Sequence, residues 1–152
     1  MADTHEKFME TALQEAKKAG KIGEVPVGAI VVSENGEIIA TAHNQPIKRV
    51  DPTAHAEMLA LQKAALAINN YRLLNTTLYV TVEPCIMCMG AVVHARISRL
   101  VFGTTDPKWG AAGSLYNYAE DDRLNHRVEI IPHVRADDCR RLMQNFFRSK
   151  RN

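Results

Sequence analysis

The chain has 152 residues, enough for one domain whose core needs neither disulfides nor a structural metal. Hydrophobic residues make up 46% and charged residues 24%, a balance that excludes a disordered or collagen-like chain. Lys and Arg number 19 against 17 Asp and Glu, a formal charge of +2 that is too small to argue for nucleic acid by itself.

Three cysteines are an odd count for a disulfide framework and suit a reducing compartment. The first residues show no apolar core or cleavage site of a secretory signal. The longest apolar run, near residues 25–32, is too short to span a bilayer. The expectation is one domain over residues 1–152, cytoplasmic and with no membrane partner.

Helical and strand patterns alternate along the chain, which predicts an α/β fold. Residues 4–19 read as a first helix: Asp3 and Glu6 resemble a capping box, and Phe8, Ala12, Leu13, Ala16 and Ala19 form an apolar stripe ended by Gly20. Residues 27–32 are a strand, 33–36 a turn and 37–42 the returning strand. Asp51-Pro52 predicts the N-cap and first position of a second helix, buried through Met58, Leu59, Leu61 and Leu66 and broken at Asn69-Asn70.

Residues 77–82 are β-branched enough for a sheet centre. Pro84 opens a third helix to about residue 95, and residues 100–103 form a fourth strand. Residues 104–127 lack a regular pattern, and 128–131 read as a short fifth strand. Residues 137–147 form a last amphipathic helix with Cys139, Leu142, Met143 and Phe146 on its apolar face. Its Arg140, Arg141, Arg148, Lys150 and Arg151 read first as a solvated face.

Two fragments carry chemistry: His55-Ala56-Glu57, and Glu83-Pro84-Cys85-Ile86-Met87-Cys88. Cys85 and Cys88, three apart in a first helical turn, face the same way beside free amides and the positive dipole end, which favours thiolates. Such a pair binds zinc at about 2.3 Å per sulfur. A C-x-x-C alone is equally a redox motif, but no thioredoxin-like context surrounds it. A structural zinc site wants four protein ligands, and no second pair exists. Cys139 reads as core, and His5, His43, His94, His126 and His133 as surface or hydrogen-bonded histidines.

His55 differs because Glu57 follows it. Three ligands, His55, Cys85 and Cys88, with a fourth position open make the pattern of a catalytic zinc site, and Glu57 is then its acid/base. Residues i and i+2 lie about 200° apart on a regular helix. His55 and Glu57 therefore share a site only over a helix N-terminus. H-x-E followed by P-C-x-x-C is an established signature of zinc nucleobase deaminases, the tRNA-acting enzymes among them.

At these residues the chain resembles the cytidine deaminase superfamily, and more closely its tRNA-specific adenosine deaminases. The similarity takes in Val25-Pro26-Val27-Gly28-Ala29, His43-Asn44, residues 51–57, Tyr71-Arg72-Leu73 and Leu78-Tyr79-Val80-Thr81. It continues through Gly90-Ala91, Val101-Phe102-Gly103, residues 106–108 and 110–114, Asn125-His126 and Phe146-Phe147-Arg148.

The resemblance implies a three-layer cytidine-deaminase-like fold, a five-stranded mixed sheet flanked by helices, with one Zn2+ per subunit. It implies hydrolytic deamination of the wobble adenosine to inosine in a tRNA anticodon stem-loop, by a homodimer whose subunit interface carries the RNA; DNA is not an expected partner. Asn44 would contact the target nucleoside, with Pro26, Val27 and Ala56 around its pocket. Asp106, Lys108 and Phe147 would hold neighbouring nucleotides. Trp109 is bulkier than the family pattern, and the longer basic tail of some relatives is missing. The competing readings are a deaminase of a free base or nucleotide (guanine, cytosine or dCMP) and a non-catalytic zinc-stabilised binding module.

Overall fold

A computed structural model describes residues 2–151. Five strands form one sheet in the order β2-β1-β3-β4-β5. They are β1 (Gly28–Val32), β2 (Ile38–His43), β3 (Thr77–Val82), β4 (Arg99–Thr104) and β5 (Glu129–Ile131). β1 runs antiparallel to β2 and β3, whereas β3, β4 and β5 are parallel. The sheet is therefore mixed, as expected.

Strand alternation divides the core into two layers. Ala29, Val31, Leu78, Val80, Leu100 and Phe102 face one side, where α3 (Ala56–Ile68) and α4 (Ile86–His94) bury Leu59, Ala60, Met89 and Val92. Ile30, Val32, Tyr79 and Val101 face the other, against Met9, Ala12 and Leu13 of α1 (Ala2–Lys21) and Cys139 of α5 (Ala136–Arg151). Three layers result. α1 lies so close to β1 that a Cβ on Gly28 would run into the Ala12 carbonyl and the Ala16 amide, so only glycine fits there.

The sequence reading needs four corrections. α1 begins at Ala2, so Asp3 sits in its first turn and is not its cap. The second major helix starts at Ala56, not at Asp51-Pro52. Asp51 instead turns the chain by accepting the Thr53 N–H at 2.8 Å, and a short helix, α2 (Pro46–Arg49), precedes it. Leu66, expected in the core, is 83% exposed. The final helix extends to Arg151. No helix of the described residues is long and apolar enough to cross a membrane.

Candidate metal centre and active-site cavity

The two chemical fragments are the N-caps of two neighbouring helices. His55 caps α3 and Cys85 caps α4, both in extended backbone conformation. Neither side chain caps its own helix, so each is free to turn inward. Asn44, at the end of β2, caps α3 in place of His55: its Oδ1 accepts the Ala56 N–H at 2.7 Å. Glu57, in the first turn of α3, is only 4% exposed. The N-terminal location thus solves the i, i+2 problem of His55 and Glu57.

His55 Nδ1 lies 3.7 Å from Cys85 Sγ and 3.5 Å from Cys88 Sγ. Zinc with sulfurs at about 2.3 Å and nitrogen at about 2.0 Å, in a tetrahedron, separates S from N by about 3.5 Å. The three ligand atoms therefore fit one zinc ion, and among the described residues they are the one His/Cys/Asp/Glu cluster so gathered. With three protein ligands the fourth corner stays open. The other candidates are engaged elsewhere. His5 Nδ1 bonds the Tyr79 hydroxyl at 2.8 Å, His43 Nδ1 bonds Glu15 at 3.0 Å and His126 Nε2 donates to the Ile97 carbonyl at 2.8 Å. Cys139 is buried, which pushes its thiol up to about 12.

The two thiols of the cluster are driven apart: a hydrogen bond with Cys85, together with burial, pushes the Cys88 thiol up. A hydrogen bond with Cys88 lowers the Cys85 thiol to about 4, opposed by burial and helped by His55. His55 is raised, chiefly by its hydrogen bond with Cys85. Burial pushes the Glu57 carboxyl up to about 7. Metal binding takes the deprotonated form of each ligand, so an ion replaces the proton these groups share.

A cavity of about 510 Å³ opens over the cluster. Of the residues expected around the substrate, Val27, Asn44 and Asp106 line it together with His55, Glu57 and Cys85. Pro26 does not: Val25 and Val27 face the cavity, and Pro26, between them, turns the other way toward Gly20. Ala56 contributes its backbone N–H to Asn44 and does not line the wall. Lys108 and Phe147 line an adjoining groove of about 850 Å³, with Arg148 and Arg151. Arg140 and Arg141 pair with Asp137 and Asp138 on their own helix. Sequence reasoning missed Val25, Pro46, Pro52, Met87 and Met143 in the cavity wall.

It also missed Glu83. This carboxylate is buried and accepts the backbone N–H groups of Asp106 at 3.1 Å, Ala112 at 3.0 Å and Ser114 at 3.0 Å, besides the Ser114 hydroxyl. Gly110 packs directly on it, where a Cβ would meet the carboxylate. The Ala111 N–H also bonds the Pro84 carbonyl at 2.9 Å. The irregular segment 106–114 is thereby stapled to the strand end that carries the cysteines. An acid directly before Pro-Cys was the visible signal.

Residues 2–104 match the cytidine and deoxycytidylate deaminase zinc-binding region. A tRNA-specific adenosine deaminase of Haemophilus influenzae is 49% identical over 146 residues, 96% of this chain and 84% of the relative. That of Bacillus subtilis is 47% identical, covering 96% and 90%. A structure solved in studies of A-to-I editing by tRNA:A34 deaminases at the wobble position of transfer RNA superposes with a TM-score of 0.86 at 38% identity, covering 90% of this chain and 98% of that one. A guanine deaminase of Nitrosomonas europaea, 22% identical, shares the fold with a TM-score of 0.80 over 93% and 83%. The chain belongs to the cytidine and deoxycytidylate deaminase family, within the group of tRNA-specific adenosine deaminases.

Proposed function

We propose that this protein deaminates the wobble adenosine of a tRNA anticodon to inosine. One observation carries the reading: a zinc-ligand set with one open corner shares with a buried carboxylate a cavity of about 510 Å³, roomy enough for a nucleoside. The identity of 49% with a tRNA-specific adenosine deaminase supports the choice of substrate.

His55, Cys85 and Cys88 hold the zinc ion. When bound, it supplies a Lewis acid that lowers the pKa of water from 15.7 towards about 7. Glu57 accepts a proton from the attacking water and delivers it to N1 of adenine. It then takes the remaining proton from the oxygen newly bonded to C6 and passes it to the departing amine. The C6–O bond forms, the C6–N bond breaks and ammonia leaves. General acid–base help of this kind is worth about 10²–10⁴-fold.

Asn44 spends its amide oxygen on Ala56, so its Nδ2 is the group left to donate to the nucleoside. Val25 and Val27 wall the base. The target must leave its stack, at a cost of a few kcal/mol that is smallest in a loop. Lys108, Arg148 and Phe147 in the adjoining groove suit the flanking nucleotides of such a loop. The reading includes a homodimer with the RNA lying across the subunit interface; exposed Ile47, Val50 and Leu115 offer apolar surface for it.

The test offers purified enzyme an anticodon stem-loop, free adenosine, guanine, cytosine and dCMP, and measures ammonia release. Turnover of the stem-loop alone is expected. Preferred turnover of a free base or nucleotide would overturn the RNA reading and leave the deaminase chemistry in place. Sedimentation of the same sample checks the dimer.

A further inference from the structure

The cavity and the adjoining groove share a wall of Val25, Val82, Asp106, Trp109 and Met143. Trp109 is its only aromatic residue, so the indole stands where the deep cavity opens into the basic groove. It is 65% exposed. An indole left this open at a rim carries apolar surface with no covering partner among the described residues.

The backbone under it is fixed. Asp106 Oδ1 accepts the N–H groups of Lys108 at 3.1 Å and Trp109 at 3.3 Å, and its carbonyl accepts that of Gly110 at 2.8 Å. Glu83 holds both ends of the same segment from below. A flat ring on a rigid backbone loses little freedom when something lies against it. Its surroundings are cationic: Lys108 is its chain neighbour, and Arg148 and Arg151 line the same groove, with Phe147 further along. Aromatic rings interleaved with basic side chains form the usual track for single-stranded nucleic acid.

A nucleoside turned into the cavity leaves its chain neighbours at this rim. We infer that Trp109 is a stacking platform for the nucleobase adjacent to the target nucleoside, an inference that rests on the deaminase reading above. Its role is in binding and positioning. It does not touch the reacting atoms, so its loss should raise KM and leave kcat nearly unchanged.

Trp109 is the chain's one tryptophan, so its emission reads the contact directly. Titrating the zinc-loaded enzyme with an anticodon stem-loop is expected to quench that emission. Trp109→Ala should raise KM by about 5- to 150-fold, the usual strength of base–aromatic stacking, and Trp109→Phe should recover most of it. The Trp109→Ala effect should vanish on a stem-loop that is abasic on the stacked side of the target. The position is exposed, so the variants fold. Unaltered emission with bound RNA, an unchanged KM in Trp109→Ala, or an equal loss on the abasic substrates overturns the inference while leaving the deaminase function intact. Emission that follows protein concentration and ignores RNA assigns the ring to a subunit interface and also overturns it. A wild-type enzyme that neither binds nor deaminates the stem-loop overturns the function as well.

Discussion

Asn44 Oδ1 accepts the Ala56 N–H at 2.7 Å, so a residue from the end of β2 caps the helix whose own N-cap position is occupied by a metal ligand. An N-cap side chain normally spends its oxygen on the first free amides. His55 has no such oxygen, and its Nδ1 lies against the Cys85 and Cys88 sulfurs. The cap must therefore come from elsewhere in the fold. One side chain thus fixes the backbone of a ligand and presents its remaining amide group to the cavity.

Asn44→Ala should leave the Ala56 N–H buried without an acceptor, costing about 1–3 kcal/mol. Urea denaturation of the zinc-loaded variant measures this. Zinc affinity should also fall, because His55 loses its fixed backbone; competition with a chelator reads that. A wild-type denaturation midpoint would show that the cap contributes nothing.

Glu57→Gln should keep one zinc per chain and bind the stem-loop as the wild type does. Turnover should drop by at least about 10²–10⁴-fold, the usual worth of a general acid–base group. Zinc content by elemental analysis and ammonia release on the same sample separate the two effects. Appreciable turnover in this variant would remove Glu57 from the proton path.

Glu83→Gln replaces one of two acceptor oxygens by an amide that faces N–H donors. The expected cost is about 1–3 kcal/mol. The sharper readout is amide hydrogen exchange: Asp106, Ala112 and Ser114 should exchange faster while β3 and β4 stay protected. KM for the stem-loop should rise more than kcat falls, since the loosened segment carries the cavity rim. Unchanged exchange at those three amides would mean that the staple does not hold the loop.

Burial tends to raise the Glu15 carboxyl, but hydrogen bonds from His43 and Lys18 outweigh it and hold the group below its ordinary 4.5. A carboxyl depressed in the folded state contributes stability above its unfolded pKa, and that contribution is lost as pH falls through the folded value. Glu15→Gln should therefore be less stable than the wild type at pH 6, and the gap should narrow progressively as pH falls below 4.5. Denaturation midpoints of both proteins at pH 6 and pH 3.5 test this. A gap independent of pH would exclude the ion pair as its cause.

The elements legible in the sequence were those with local boundaries. The β1–β2 hairpin has its turn written in Ser33-Glu34-Asn35-Gly36, and Gly36 takes the positive φ of 86° that the turn needs. β3 and β4 announced themselves as short apolar runs. The zinc set was legible because two spacings fit one chemistry. The start of α3 was misread because Asp51-Pro52 is locally a good cap, and only the need to bring His55 to the helix end overrides it. Leu66 looked like core because α3 is apolar nearly all round; which side meets the sheet is a tertiary matter. Glu83 stood out only as an acid before Pro-Cys; its role was not legible because its partners lie 23 to 31 positions away. The resemblance puts Pro26 on the wall, whereas its neighbours Val25 and Val27, joined by a hydrogen bond from the Val27 N–H to the Val25 carbonyl at 2.8 Å just before β1, line the cavity.

The joining of two helix ends by one ion has a consequence for stability. Positions 55 and 85 are 30 apart in the chain, and β3 lies between their helices in sequence. Zinc therefore favours the docked arrangement of the two helix ends, since an ion that binds only the native state stabilises it by mass action. Removing the ion should therefore lower the denaturation midpoint without changing the order of the strands.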